Sequence, residues 1–386
     1  MTEQAEPQWI ETDAALAQLV STVRDEPAYG LDTEFMSERS YWPRLCLLQV
    51  SWAGGVALVD ALACDVAAVG DLLRSPGTAI THAGAADLPI LDRACGTRPT
   101  AIFDTQLAAG FVGLGTPSLS SLILELLGIR PEASEALNDW TRRPLPKTAR
   151  HYAANDVAHL LALTDELRSR LAELGRESWV AAECEVLRTT PAREQDPDTA
   201  WWGLKGARSI KGERARIAQA VAAWRERRAR ERDQPARFVL GDLALAAVVA
   251  RPPRTAEDVK RVRGAGSLPA PVARAVLEAI EVGRAMPSSE LRRPPKRVDA
   301  PGLDAAIGIL SAWVGEIASS ERVEQRLLAT RDDVRALVNA RPSRLDDGWR
   351  AELVGNRLHD LLAGDAVLRL VDSGRRVRLE PSPHPG

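Results

Sequence analysis

Every strand-like run in this chain falls between Tyr29 and Thr105, and that confinement restricts the architecture more than any other feature. Residues 29–35 (YGLDTEF) form a short strand candidate. Residues 44–52 (RLCLLQVSW) and 56–62 (VALVDAL) are apolar runs joined by Ala53-Gly54-Gly55, which reads as a hairpin. TAITHA (78–83) is a further strand candidate, followed by a helical stretch from Ala85 to Ala94 that stops near Gly96. AIFDT (101–105), then QLAAGFVG, repeats the pattern. LSSLILELLGI has helical periodicity, and so does the long run from Lys147 to about Leu174. Strands that come early and are then covered by helices predict a mixed α/β domain with one central sheet.

The 386-residue chain is too long for one ordinary domain of roughly 100–200 residues. TPAREQDPDTA has no apolar periodicity and holds two prolines, so it reads as a linker. Beyond it the strand signals nearly vanish. Residues 207–232, 237–250, 255–263 and 270–285 read as short helices, MPSSELRRPPKRVDAPG as a second linker, and the remainder mostly as helices. The expected division is an α/β domain over 1–189, a linker over 190–206, a helical domain over 207–287, a linker over 288–302 and a second helical domain with its tail over 303–386. The fold class is thus α/β followed by two small all-α domains.

Charge separates along the same divisions. Residues 1–190 carry a formal net charge of −11 and residues 200–300 one of +11, against −3 for the whole chain. The middle is able to attract a polyanion; the first part is not, without bound cations. The four cysteines, Cys46, Cys64, Cys95 and Cys184, form no C-x-x-C pair, so a structural zinc site is not expected. They read as buried small apolar residues in a reducing cytoplasm. The N-terminal MTEQAEPQWIETDAA lacks a basic start followed by an apolar run, so no secretory leader is expected. No stretch approaches the ~18 consecutive apolar residues of a membrane span.

Asp32-Thr33-Glu34 lies inside a strand candidate. Side chains at i and i+2 of a strand share a face, so two carboxylates are presented together. Two anions side by side on a half-buried strand are costly unless a cation neutralises them. Carboxylate oxygens suit hard divalent ions such as Mg²⁺ or Mn²⁺. Alone, an acid pair at this spacing is also what a solvent-facing strand edge shows. Three further acids sit in suggestive places. Asp87 follows a strand at the start of a helix, and Asp104 ends a strand where a helix N-cap is expected. Asp156 lies in a helix with Tyr152 four residues earlier, on the same helical face. His151 stands five residues before Asp156. An i, i+4 partner is about 40° off around the helix and an i, i+5 partner about 140°, which favours Tyr152.

Taken together, these motifs resemble the DEDD exonuclease superfamily and, more closely, ribonuclease D. The first motif matches Leu31-Asp32-Thr33-Glu34-Phe35, the second His82 to Asp87 followed by Leu88, and the third Tyr152 to Asp156. Similar connecting text includes Tyr41-Trp42-Pro43 with Leu45 and Gln49, Asp104-Thr105-Gln106, and Asp139-Trp140 with Arg143-Pro144-Leu145. The resemblance spans about residues 8–185. It implies a ribonuclease-H-like exonuclease domain acting 3′→5′ on RNA and releasing nucleoside 5′-monophosphates. It also implies that Asp32, Glu34, Asp87 and Asp156 hold two divalent ions, Mg²⁺ or Mn²⁺, while Tyr152 orients the attacking water. Thr33, Phe35, His82 and Arg143 are candidate substrate contacts. The implied partner is RNA with a free 3′ end, such as tRNA precursors or other stable RNA, with no membrane and no obligate protein partner. A DNA exonuclease of the same superfamily and an idle nucleic-acid-binding protein are the alternative readings.

Residues 207–290 resemble an HRDC domain, the helical module shared by RecQ-type helicases and ribonuclease D. The matching text is Ala223-Trp224-Arg225-Glu226-Arg227-Arg228, then Gln234-Pro235, then Val239-Leu240-Gly241-Asp242. Arg208, Lys211, Arg214, Arg216, Arg225, Arg227, Arg228, Lys260, Arg261 and Arg263 are candidate phosphate contacts there. Trp201 and Trp202, beside the linker, read as packing residues or as base-stacking ones.

Overall fold

The computed structural model describes residues 6–130, 139–192, 194–266, 268–295 and 302–383. The first residues of the N-terminus, Arg193 of the first linker and 296–301 of the second lie outside them. Two compact units result. One comprises Met1–Glu34, Cys46–Thr190 and Val298–Gly386; the other comprises Phe35–Leu45 and Pro191–Arg297.

The first unit is built on a six-stranded sheet of β1 (Gln8–Ile10), β2 (Ala28–Met36), β3 (Arg44–Trp52), β4 (Gly55–Asp60), β5 (Thr78–Thr81) and β6 (Ala101–Asp104), in the order β1-β4-β3-β2-β5-β6. β3 and β4 are the antiparallel hairpin expected from Ala53-Gly54-Gly55, whereas β1–β4, β2–β5 and β5–β6 are parallel, so the sheet is mixed. β1 was not anticipated, because three residues are too short to show alternation. Helices α1 (Asp13–Val23), α2 (Gly70–Leu73) and α3 (Asp87–Cys95) bury Leu16, Leu73 and Leu91 in the same core as Tyr29, Leu31, Leu48 and Val50 of the sheet. α4 (Thr105–Phe111) and α5 (Leu119–Leu127) follow. Ile80 packs with Val157 and Leu160 in a separate cluster. The long helical run seen in the sequence is two helices, α6 (Lys147–Ala158) and α7 (Leu160–Leu174), which meet at His159. Periodicity is helical on both sides, and no Gly or Pro marks the break. α8 (Glu177–Thr189) closes this part.

Residues from 302 onward differ from the all-helical reading in two ways. α14 (Asp304–Glu321), α15 (Gln325–Leu328), α16 (Arg331–Val338), α17 (Gly348–Arg350) and α18 (Asn356–Ala363) are followed by an antiparallel hairpin, β7 (Ala366–Val371) with β8 (Arg376–Pro381). These residues also share one continuous core with the sheet and its helices instead of standing apart. Trp349 stacks on Trp179 with ring centroids 5.0 Å apart and meets Phe111 edge-on at 5.1 Å. Arg350, 7% exposed, forms a bidentate pair with Glu183 at 2.6 and 2.8 Å. Arg176 donates to the carbonyls of Phe111 and Glu321, and the Glu324 amide donates to Gly110.

The second unit is helical: α9 (Glu213–Glu231), α10 (Ala236–Val239), α11 (Asp242–Ala250), α12 (Ala256–Lys260) and α13 (Ala270–Ala285). α13 crosses α9 closely. A Cβ on Gly283 would stand 2.6 Å from the Cα of Ile217. Trp201 is buried in this core, and both Trp201 and Trp202 donate their indole N–H groups to the Arg292 carbonyl, at 3.1 and 2.9 Å. Arg225, a phosphate-contact candidate, is instead buried and bonded to Asp242 and the Leu240 carbonyl. Within this unit the segment between β2 and β3 is tied to α9: the Tyr41 hydroxyl donates to Glu226 and accepts from Arg230. The four cysteines are buried free thiols, and among the described residues no helix is long and apolar enough to cross a membrane.

Removing one partner of a buried ion pair leaves the other charge unpaired, at a cost of about 3–5 kcal/mol. Glu183→Ala is therefore expected to lower the unfolding free energy from urea titration by that amount, with a lower midpoint, and Glu183→Leu with Arg350→Met to recover most of it. A single variant with an unchanged midpoint would contradict the coupling of this region to the sheet.

Candidate active site

Asp32 and Glu34 project from one face of β2, and Asp156 comes from α6. Each presents one carboxylate oxygen, and the three oxygens lie within 4.8 Å of one another. Two local features bring α6 so close. Gly30, on the same face of β2 as Asp32, leaves room that a side chain would fill: a Cβ there would stand 2.2 Å from the Ser51 hydroxyl and 3.2 Å from Leu160. Ser51 in turn donates to the Val157 carbonyl at 2.8 Å, which pins α6 one residue beyond Asp156. Gln49 stands two residues before Ser51 and so shares its face of β3. It is completely buried, with neither amide atom bonded to the protein.

Asp87 approaches from the other side of the strand, as the first residue of α3, and accepts a short hydrogen bond from the Thr33 hydroxyl. The loop that delivers it is held by Asp104. One oxygen of that carboxylate caps α4 through the amides of Gln106 and Leu107; the other takes Gly84 N–H at 2.8 Å and Thr81 Oγ1 at 3.1 Å. Gly84 sits 2.7 Å (at its would-be Cβ) from Thr81 Oγ1, and its neighbour Ala83 has φ of 58°. A non-glycine residue in the left-handed region is a local strain that the surrounding bonds must hold.

Among the described residues none of these four carboxylates has a basic partner. Burial, reinforced by repulsion from Asp87, Asp156 and Glu34, holds the Asp32 carboxyl well above the usual carboxylate range, although the Thr33 amide opposes the shift. Burial and the charges of Asp156 and Asp87 push Glu34 up to about 8. Burial raises Asp156 to about 6 against the hydrogen bond it accepts from Tyr152. Asp87 is raised by burial and held back by Thr33. Crowded oxygen donors with no cation among them fit a hard divalent ion. The acidic cluster is compatible with divalent metal ions.

Tyr152 is half-buried, with its ring 6.2 Å from that of Trp140, whereas His151 is exposed. The candidate substrate contacts fare differently. Thr33 is 5% exposed and its hydroxyl is engaged by Asp87, so its side chain positions that carboxylate. His82 has Nδ1 on Thr105 Oγ1 at 2.9 Å and Nε2 on the Pro117 carbonyl at 3.2 Å, leaving no ring nitrogen for a ligand. Arg143 uses all five N–H groups: two on Asp60 at 2.6 Å and the rest on the carbonyls of Cys46, Trp140 and Arg142. It braces β3 and β4 and has no donor for phosphate. Phe35, next after Glu34, is half-buried. Gly30, Ser51 and the dual bonding of Asp104 were missed, since nothing in the sequence distinguishes them from ordinary strand and capping residues.

Comparison with known proteins identifies the family. A 3′-5′ exonuclease family model matches residues 7–172, and an HRDC domain model matches residues 214–270. A ribonuclease D from Acidiphilium cryptum is 35% identical over 387 aligned residues, covering 98% of each chain. The Escherichia coli ribonuclease D is 32% identical over 370 residues, covering 92% of this chain and 98% of its own. The crystal structure of Escherichia coli RNase D, described as an exoribonuclease involved in structured RNA processing, superposes with a TM-score of 0.83 at 30% identity and covers 93% of this chain and 99% of that one.

A carboxyl whose pKa is higher in the folded than in the unfolded state contributes stability below its ordinary pKa and loses it as pH rises through the folded value. With Glu34 at about 8 and Asp156 at about 6, the metal-free protein is expected to lose thermal stability between about pH 5 and pH 8.5. Mg²⁺ or Mn²⁺ should restore most at the alkaline end, and Glu34→Gln should flatten the metal-free profile. A melting temperature in EDTA that does not depend on Glu34 anywhere in this window would contradict the electrostatic description.

Proposed function

Because this chain belongs to the ribonuclease D family, we propose that its acidic cluster removes nucleotides one at a time from RNA 3′ ends, releasing nucleoside 5′-monophosphates. It is a 3′→5′ exoribonuclease. The observation that carries the site assignment is the convergence of Asp32, Glu34 and Asp156, with Asp87 beside them and, among the described residues, no basic side chain paired with them.

Asp32, Glu34, Asp87 and Asp156 would hold two divalent ions, Mg²⁺ or Mn²⁺. When bound, such ions lower the pKa of a water and stabilise the departing 3′-oxygen. The protein's own groups supply the rest. Tyr152, whose hydroxyl reaches Asp156, orients the attacking water by hydrogen bond. A phenol is a poor proton acceptor at neutral pH, so its part is positional. Thr33 and Asp104 hold Asp87 and the loop before it, and Ser51 holds α6 against the sheet. Phe35 remains the candidate for contact with the terminal nucleotide. The likeness to an RNase D involved in structured RNA processing supports tRNA precursors and other stable RNAs as substrates. A cytoplasmic setting is supported by the four free thiols.

On 5′-labelled single-stranded RNA with Mg²⁺ or Mn²⁺, a one-nucleotide ladder is expected, lost in EDTA and absent on matched DNA. Asp32→Asn or Asp156→Asn should lower kcat by at least about a thousandfold, equivalent to about 4 kcal/mol of transition-state stabilisation. Tyr152→Phe should lower it by about a hundredfold, the scale expected for misplacing a reactant. Near-normal hydrolysis by either aspartate variant would remove the site assignment, and equal ladders on DNA would replace RNA with DNA as the substrate.

A further inference from the structure

Within the helical unit a cavity of about 820 Å³ opens between the turn containing Leu204 and Lys211, the first turn of α9, and the last turns of α11 and α13. Its floor is apolar, from Leu204, Ile210, Val249 and Pro252. Its rim is basic. Lys205, Lys211, Arg214 and Arg254 are exposed and have no ion-pair or hydrogen-bond partner among the described residues. The fifth lining cation, Arg284, is neutralised by Glu213 at 3.3 Å and by Glu281. That pairing also engages the only acid in the lining, so four positive charges surround the floor unbalanced.

The backbone adds to the field. α9 is 19 residues long, and its first turn has no side-chain cap; Gly212, with φ of 61°, precedes it. Uncapped N–H groups at a helix start favour anions. Much of the wall, from Leu204 to Glu213 and at Arg284, comes from outside the residues that match the HRDC model, 214–270.

We propose that this cleft is a second, non-catalytic site for single-stranded RNA, with phosphates on the four free cations and one or two bases on the apolar floor. The volume lies within the range of ligand sites, roughly 300–1,000 Å³. Only unpaired bases are free to leave the stack and enter such a concavity. The proposal rests on RNA being the substrate of the catalytic cluster, and it gives the enzyme a hold on the chain independent of the metals.

The test uses full-length protein in EDTA, so that no hydrolysis occurs, with a fluorescein-labelled unstructured RNA read by anisotropy over a KCl series. The variant is Lys205→Ala, Lys211→Ala, Arg214→Ala and Arg254→Ala combined. The control combines Arg232→Ala, Arg237→Ala, Arg274→Ala and Arg293→Ala, exposed positions of this unit that neither line the cleft nor belong to the candidate phosphate contacts. Each lost single-strand phosphate contact lowers the salt slope by about 0.7, so the variant's slope should fall by about 2 to 3 and its affinity at least about tenfold, with the control little changed. Unchanged affinity and slope, or an equal loss in the control, would overturn the cleft and leave the exonuclease reading intact. Wild-type protein that binds RNA in EDTA but never hydrolyses it with Mg²⁺ or Mn²⁺ would instead strike at the exonuclease reading.

Discussion

The mutual repulsion of carboxylates packed around one strand governs this structure. Asp32, Glu34 and Asp156 bring oxygens within 4.8 Å of one another in a half-buried site, and Asp87 adds a fourth charge nearby. Burial raises the pKa of all four acids, and neighbouring charge adds to it at Asp32, Glu34 and Asp87, so without a cation the arrangement favours protons on some of them. A fold that relieved the repulsion by itself would move α6 or α3 away. Here both are fastened in place. Gly30 and Ser51 draw α6 onto the sheet, and Asp104, Gly84 and Thr33 deliver Asp87.

The remaining parts of the first unit brace that geometry. Arg143 clamps β3 and β4 through Asp60 and the Cys46 carbonyl. The C-terminal helices share the sheet's core through the Trp179–Trp349 stack and the buried Glu183–Arg350 pair. The second unit carries charge of the opposite sign, with unpaired lysines and arginines around an apolar cleft. An acidic site compatible with divalent ions and a basic helical module in one chain suit a polyanionic substrate.

The local parts of the site were legible in the sequence. Asp32 and Glu34 share a strand face, and Tyr152 and Asp156 share a helix face, because backbone periodicity alone dictates it. What depends on distant partners was not. Thr33 and Asp87 are 54 positions apart, Arg143 and Asp60 are 83 apart, and Arg350 and Glu183 are 167 apart. Thr33, His82 and Arg143 were therefore read only as candidate substrate contacts, whereas their side chains are bonded to Asp87, to Thr105 and Pro117, and to Asp60. The domain pattern of one sheet followed by helices was visible in the order of apolar runs. The closing hairpin β7–β8 was hidden by its composition: Arg369, Arg376 and Arg378 break up its apolar residues, and most of its side chains are not buried.

Repelling carboxylates whose pKa values are raised would become a metal site by giving up protons. Calorimetric titration of Mn²⁺ at pH 7 in two buffers of different ionisation enthalpy measures that directly. With Glu34 at about 8 and Asp32 raised well above the usual range, binding should release at least about one proton, and Asp32→Asn should abolish both the heat and the release. Mn²⁺ binding with no proton release, or binding that survives Asp32→Asn unchanged, would contradict the account.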